Sequence, residues 1–181
     1  MKKGFTLIEL LIVIAILAIL AVTVFLVLNP AQLLAEARDV QRLSDLNSVK
    51  SAIALYLTTS SSPAVGENGR MTASGTCGFG SACTYLSTST VDGTGWVNID
   101  LTGTSGGSSL AALPIDPTNS TTYFYAYDGE NTNKTFELNA RLESTKYRGQ
   151  MSTDGGDDST CSTYTEAACW YEVGTDPGLN L

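Results

Sequence analysis

One acid stands inside an otherwise apolar stretch. Between Phe5 and Leu28, 24 residues include no Lys or Arg, and only Thr6, Glu9 and Thr23 are polar. A helix of about 20 apolar residues crosses a bilayer, and an acid at mid-membrane costs about 2.5 to 3.5 kcal/mol on insertion scales. Glu9 therefore calls for a cationic partner. Three further groups could do chemistry. Asp154, Asp157 and Asp158 put three carboxylates within five residues around Gly155-Gly156, oxygen donors of the kind Ca²⁺ takes in sixes to eights. The spacing is not that of an EF-hand, and a solvated acidic loop fits the same residues. Cys77 and Cys83, then Cys161 and Cys169, form two locally spaced pairs. Neither is a CxxC metal pair, and four cysteines allow three disulfide connectivities, of which the local one is preferred. The chain has no histidine, which excludes Ser-His-Asp and Cys-His catalysis and HExxH zinc sites; with no P-loop or dinucleotide fingerprint either, the expectation is that this is not an enzyme.

Two ordinary readings of the N-terminus are a cleaved secretory signal and a plain signal anchor. A secretory signal has an apolar core of about 7 to 15 residues and an A-x-A cleavage site; this core is longer and contains no A-x-A. A signal anchor would leave Glu9 to snorkel and the rest of the pattern unused. The run Lys3-Gly4-Phe5-Thr6-Leu7-Ile8-Glu9-Leu10 resembles the N-terminal signature of type IV pilins and type II secretion pseudopilins. That resemblance implies cleavage between Gly4 and Phe5 by a prepilin peptidase, methylation of the new Phe5 amine, and retention of the apolar segment as a filament-core helix. The chemistry agrees with it. A cut after Gly4 creates an ammonium at Phe5, one helical turn from Glu9, and in a bundle of subunits the Glu9 carboxylate can pair with the Phe5 amine of a neighbour. Pairing recovers much of the several kcal/mol that an uncompensated buried charge costs.

The elements that must position these groups follow in order. Residues 1–4 are the expected leader, 5–28 the membrane or filament-core helix, and 29–59 the second half of one long helix, roughly 80 Å at about 1.5 Å per residue. Asn29-Pro30 is expected to kink it or loosen a turn. Leu33, Ala37, Val40, Leu43, Leu46, Val49, Ile53, Tyr56 and Leu57 give the apolar spacing. Arg38, Asp39, Arg42, Asp45 and Lys50 form a polar flank, read as solvated or, in a filament, as facing neighbouring subunits. Thr58 to Pro63 ends the helix.

Residues 60–181 are the expected globular head. Its Gly/Ser/Thr-rich first part carries one strand, Trp96 to Leu101. The clearest β signal is Thr122 to Glu143: an aromatic strand Tyr123–Tyr127, a turn opened by Asp128-Gly129, and a strand in which Phe136, Leu138, Ala140 and Leu142 alternate with Glu137, Asn139, Arg141 and Glu143. That alternation predicts one buried face and one wet face. Leu113-Pro114-Ile115-Asp116-Pro117 resembles a turn of major pseudopilins, and Trp170–Val173 reads as a short strand. The expected fold is α+β and pilin-like: a long N-terminal helix packed against an antiparallel sheet of three or four strands.

Formal charge is -8 over the whole chain. From Thr58 onward there are 14 acids and five bases, so no broad basic footprint for nucleic acid exists. Lys2 and Lys3 ahead of the apolar run put the N-terminus in the cytoplasm and the head outside, where disulfides persist. The partners implied by the resemblance are a homopolymer of pilin subunits, the prepilin peptidase, an inner-membrane assembly platform, and membrane lipid before assembly. The other class of function open to this sequence is a membrane-anchored extracytoplasmic binding module that does not polymerise.

Overall fold

The computed structural model describes residues 4–79, 82–104, 106–176 and 178–181, with the side chains of residues 25–28 left aside. The expectation drawn from Lys2 and Lys3 lies outside the described residues. The chain separates into two compact units, residues 1–35 and 36–181.

The first unit is dominated by α1, Leu7–Leu28. Leucine, isoleucine, valine and alanine fill it with no breaker, and it ends at Asn29, whose left-handed backbone (φ 40°) closes the helix. Pro30 then opens α2, Pro30–Thr59, at the first helical position, where the missing N–H is no loss. The sequence-expected kink is a full break between two helices.

In the second unit, residues 36–59 of α2 lie against a five-stranded sheet of order β2-β1-β3-β4-β5. The strands are β1 Arg70–Met71, β2 Thr84–Tyr85, β3 Ala126–Glu130, β4 Thr135–Ala140 and β5 Tyr171–Gly174. β1 and β2 run parallel and the other neighbours antiparallel. The α+β, pilin-like architecture is as expected; the sheet is wider than three or four strands and mixed, because two-residue strands from the Gly/Ser/Thr-rich region extend it.

The buried stripe of α2 steps Asp39, Arg42, Leu46, Val49, Ile53, Tyr56, alternating three and four residues. Its apolar part meets Tyr125, Tyr127, Phe136, Leu138 and Ala140 from β3 and β4. Val40, at the register the sequence pattern favoured, is half exposed.

Three local expectations are overturned. Trp96–Leu101 is not a strand: Trp96, Val97, Ile99 and Leu101 are buried, but Asp92 and Asp100 turn the backbone by accepting from the N–H two residues on, Thr94 and Thr102. Asp128-Gly129 is not a turn but lies inside β3; the hairpin turns at residues 131–134, where the Glu130 carboxylate accepts from Thr132 and Asn133 N–H and Lys134 takes a left-handed conformation. Most consequentially, the second face of β4 is not wet. Glu137, Asn139 and Arg141 are buried as deeply as the apolar set, because the chain around residues 154–170 and the C-terminal residues fold over them.

Candidate functional site

The N-terminal site is built from a helix start. Thr6 sits in an extended conformation as the N-cap of α1. Its Oγ1 accepts from Glu9 N–H at 3.3 Å, and Glu9 Oε2 in turn accepts from Thr6 N at 2.8 Å and Thr6 Oγ1 at 2.7 Å. This is a capping box, in which N-cap and third helical residue satisfy each other's free donors. The T-x-x-E spacing from Thr6 to Glu9 is the sequence signal of this box. Glu9 is thus fixed against the helix end nearest Phe5, its carboxylate stabilised by the helix N-terminus as well as by the box. Phe5 is 80% exposed. Around Gly4 a Cβ would meet nothing within 4 Å, so nothing within the described chain requires glycine there. An 18-residue window that includes Glu9, Leu7–Val24, has mean hydropathy 3.1 and no buried residue, and is long and apolar enough to cross a membrane.

The head holds two polar clusters. In the first, Arg42 is fully buried among three carboxylates: Nε and Nη2 donate to Asp116 at 2.6 and 3.1 Å, and Nη1 donates to Asp39 at 2.8 Å and Glu143 at 2.7 Å. Arg38 adds a bidentate pair to Glu143 at 2.6 and 2.8 Å. Asp39 also accepts Glu143 and Ser144 N–H. The expected solvated flank is therefore, at Asp39 and Arg42, an interior ion-pair network made with the chain's own residues. Asp116, read only as part of a Pro-bounded turn, is its anchor and also caps that turn through Thr118 and Asn119 N–H. Burial pushes the Glu143 carboxyl up, but the hydrogen bonds and charges of Arg38 and Arg42 outweigh it and hold it below its ordinary value.

The second cluster lies on the far face of the sheet. Glu137 on β4 and Glu172 on β5 are each 1% exposed. Burial, then their mutual charge, raises the pKa of Glu172; burial raises that of Glu137. Glu137 Oε2 accepts Leu181 N–H, Glu172 Oε2 accepts Asp158 N–H, and Glu172 N–H donates to Asp154. Burial and the neighbouring Asp157 raise Asp158 to about 6.

The three acids expected to hold calcium do not converge. Asp154 spends one oxygen on Gly156 N–H and the other on Glu172 N–H, Asp157 points outward exposed, and Asp158 has one oxygen without a partner among the described residues. No three Asp, Glu, Cys or His side chains form a metal-ligand group among the described residues. The cysteines do pair locally, Cys77 with Cys83 and Cys161 with Cys169. The second bridge closes the loop that Arg141 grips, donating to Glu166 and Cys169 carbonyls with its guanidinium 4.0 Å over the Trp170 ring.

Residues 1–25 match the family described as the prokaryotic N-terminal methylation motif. No curated protein and no solved structure is significantly similar to this chain. The match covers the motif that precedes and opens α1, and it implies processing by a prepilin peptidase.

Proposed function

We propose that this chain is a structural subunit of a type IV pilus or type II secretion pseudopilus. It is cut between Gly4 and Phe5, methylated on the Phe5 amine, held in the membrane by α1 before assembly, and polymerised through that helix with the head outside. The observation that carries this reading is the methylation motif standing at the start of an 18-residue apolar window with no buried residue. Such a helix in water is a liability, and a bilayer or a bundle of identical helices is the environment it suits.

The capping box gives the processing step a physical frame. Glu9 already holds Thr6, so the amine freed at Phe5 appears next to a carboxylate that is fixed in place. Within a bundle that carboxylate accepts the amine of an adjacent subunit and sets the stagger between helices. Glycine at position 4 serves the peptidase rather than the fold, since the chain itself leaves room for a side chain there.

The test is co-expression with a prepilin peptidase followed by N-terminal sequencing and mass measurement of the mature chain. A start at methyl-Phe5 supports the reading, and Gly4→Leu should leave only precursor. Glu9→Leu should be processed normally but assemble poorly under the inner-membrane assembly platform. A chain that keeps Met1 to Gly4 and stays monomeric in membranes would instead be an anchored binding module.

A further inference from the structure

The acidic head gathers its free positive charge at one end. Of the five bases from Thr58 onward, Arg141 is buried and Arg70 donates to the Gly93 and Gly95 carbonyls. Lys134, Lys146 and Arg148 are left. Lys134 stands in the hairpin turn, beside the end of α2: Asn131 of that turn accepts from Val65 N–H, and Tyr56 Oη accepts from Ala64 N–H. Lys146 and Arg148 stand at the opposite end. Ser144 N–H donates to Asp39 and Lys146 Nζ to Glu36 at 3.4 Å, so this segment runs along α2 towards its start.

Aromatic rings back both bases. Lys146 Nζ lies 5.0 Å from the centre of the Tyr147 ring, and the Arg148 guanidinium 4.4 Å from that of Tyr164. The two tyrosines are half-buried and pack on the same cluster, Leu142, Met151 and Cys169, which fixes them as one surface. Lys146 keeps 58% of its side chain exposed, and Arg148 makes no ion pair among the described residues. The nearby acids are engaged: Glu143 and Asp39 face Arg38 and Arg42, and Glu166 accepts from Ser162 and Thr163. Glu36 alone of them faces Lys146.

We propose that this end of the head docks on the anionic headgroups of the bilayer that holds α1, through Lys146, Arg148, Tyr147 and Tyr164. The inference rests on the membrane reading given above. α1 ends at Leu28 and α2 opens at Pro30, so two Cα steps and six residues of helix keep Glu36 within about 17 Å of the end of α1, whatever the angle between the helices. Headgroups extend about 5–8 Å beyond the hydrocarbon core. Lys146, beside Glu36, is thus tethered within reach of them. Tyrosine and long basic side chains are the residues this layer accepts, the ring at headgroup level and the charge reaching out. Each base near an anionic surface multiplies occupancy by about fivefold. The same surface repels the acids that make up the rest of the head's charge, so attraction and repulsion turn the same end towards the lipid. The docking holds the unassembled subunit in one orientation.

The test uses the full chain in lipid nanodiscs, made of phosphatidylcholine alone or mixed with phosphatidylglycerol, and a water-soluble amine-acylating reagent. Mass spectrometry reads the labelling of Lys146 relative to Lys134 in the same molecules, Lys134 being the reference at the far end. Phosphatidylglycerol should lower that ratio by about fivefold, and high salt should restore it. Arg148→Glu should restore most of it, while Arg148→Lys keeps the fall. A ratio indifferent to lipid charge, one that salt leaves low, or one as low in Arg148→Glu as in the wild type would overturn the proposal. So would an equal fall on phosphatidylcholine discs given inorganic phosphate or duplex DNA, which would make the patch a site for other phosphates. The salt arm needs no variant, so the decision stands even where Arg148→Glu misfolds. A chain that stays outside the discs overturns the membrane reading and the docking together, whereas a chain that inserts with an unchanged ratio overturns the docking alone.

Discussion

Two groups of buried acids among the described residues of the head are solved in opposite ways. Beside α2, Asp39, Asp116 and Glu143 surround a guanidinium that meets all three, with every bond at 2.6 to 3.1 Å. On the far face, Glu137 and Glu172 share a site whose strongest neighbours are acids, and the amide beside them is unpaired among the described residues. The first cluster is complete within one chain and the second is not. A buried network satisfied by opposite charges fixes one arrangement, whereas two buried carboxyls side by side relieve their charge by holding a proton, which the raised pKa values of Glu137 and Glu172 express.

The largest expected effect comes from breaking the completed cluster. Arg42→Met leaves Asp39 and Asp116, both essentially buried, without their cation, and removing one partner of a buried pair costs about 3–5 kcal/mol. Urea denaturation monitored by circular dichroism should show the loss in the midpoint. Arg42→Lys should recover little of it, since one ammonium cannot give the paired donors that Asp116 accepts. A loss below about 1 kcal/mol would mean that the network is not the anchor of α2 on the sheet.

Next in size is the connection between the two regions of β4. Arg141 is on the far face, yet its bonds go to the carbonyls of Thr122, Glu166 and Cys169 and to the Trp170 ring rather than to the acids. Arg141→Met keeps most of the stacked bulk and removes the charged donors, so it should cost about 2 kcal/mol and loosen the Cys161–Cys169 loop. Hydrogen exchange at residues 161–170 should accelerate, while amides around Arg42 keep their protection. Equal loosening at both places would dissolve the distinction between the clusters.

How far the sequence could show this depends on the sign of each residue's habit. Leu46, Val49, Ile53 and Tyr56 followed apolar spacing and were legible as a buried face. Continued backward, the same three-and-four step lands on Arg42 and Asp39, but charged residues at stripe positions read as a flank, and Val40 and Leu43 offer a competing apolar spacing. On β4 the alternation of Phe136, Leu138 and Ala140 with Glu137, Asn139 and Arg141 was real. The inference that polar meant wet failed because the covering chain comes from residues 154–181, beyond any local window. Asp128-Gly129 carried the turn chemistry, yet the strand ran through it and Glu130 formed the turn three residues on. The N-terminal site was the most legible part: a motif of local spacing, with an acid whose cost in an apolar run could be reckoned from composition alone. Its capping box is equally local, carried by the T-x-x-E spacing of Thr6 and Glu9.

The comparison sharpens when the unpaired amide is replaced. Asn139→Leu conserves shape approximately and removes two polar atoms that make no hydrogen bond among the described residues. The change should stabilise by about 1 kcal/mol, since the buried amide costs more than the leucine that succeeds it. The same kind of change in the Arg42 cluster destabilises, so opposite signs are expected on the two sides of one sheet. A destabilisation above about 1 kcal/mol would show that the Asn139 amide keeps a hydrogen bond to Glu137 in the folded protein.

The smallest effect is a pH dependence isolated by difference. Glu143 titrates below its ordinary value in the folded chain because Arg38 and Arg42 hold it ionised, against the opposing pull of burial. In the unfolded chain it titrates near the usual carboxylate range, so the unfolded state binds the proton more readily as pH falls. Glu143 therefore contributes stability that is fully present above the usual range, and that contribution is lost as pH drops through the lowered folded value. Glu143→Gln cannot titrate and keeps a polar end for both arginines. The stability difference between wild type and Glu143→Gln should be constant from pH 8 to about 6, then shrink as pH is lowered through the usual carboxylate range toward the lowered folded value. Taking the difference cancels every other acid in the head, the far-face pair included. A difference that stays flat below pH 4 would mean that the arginines do not lower Glu143, and that the cluster is held by Asp116 and Asp39 alone.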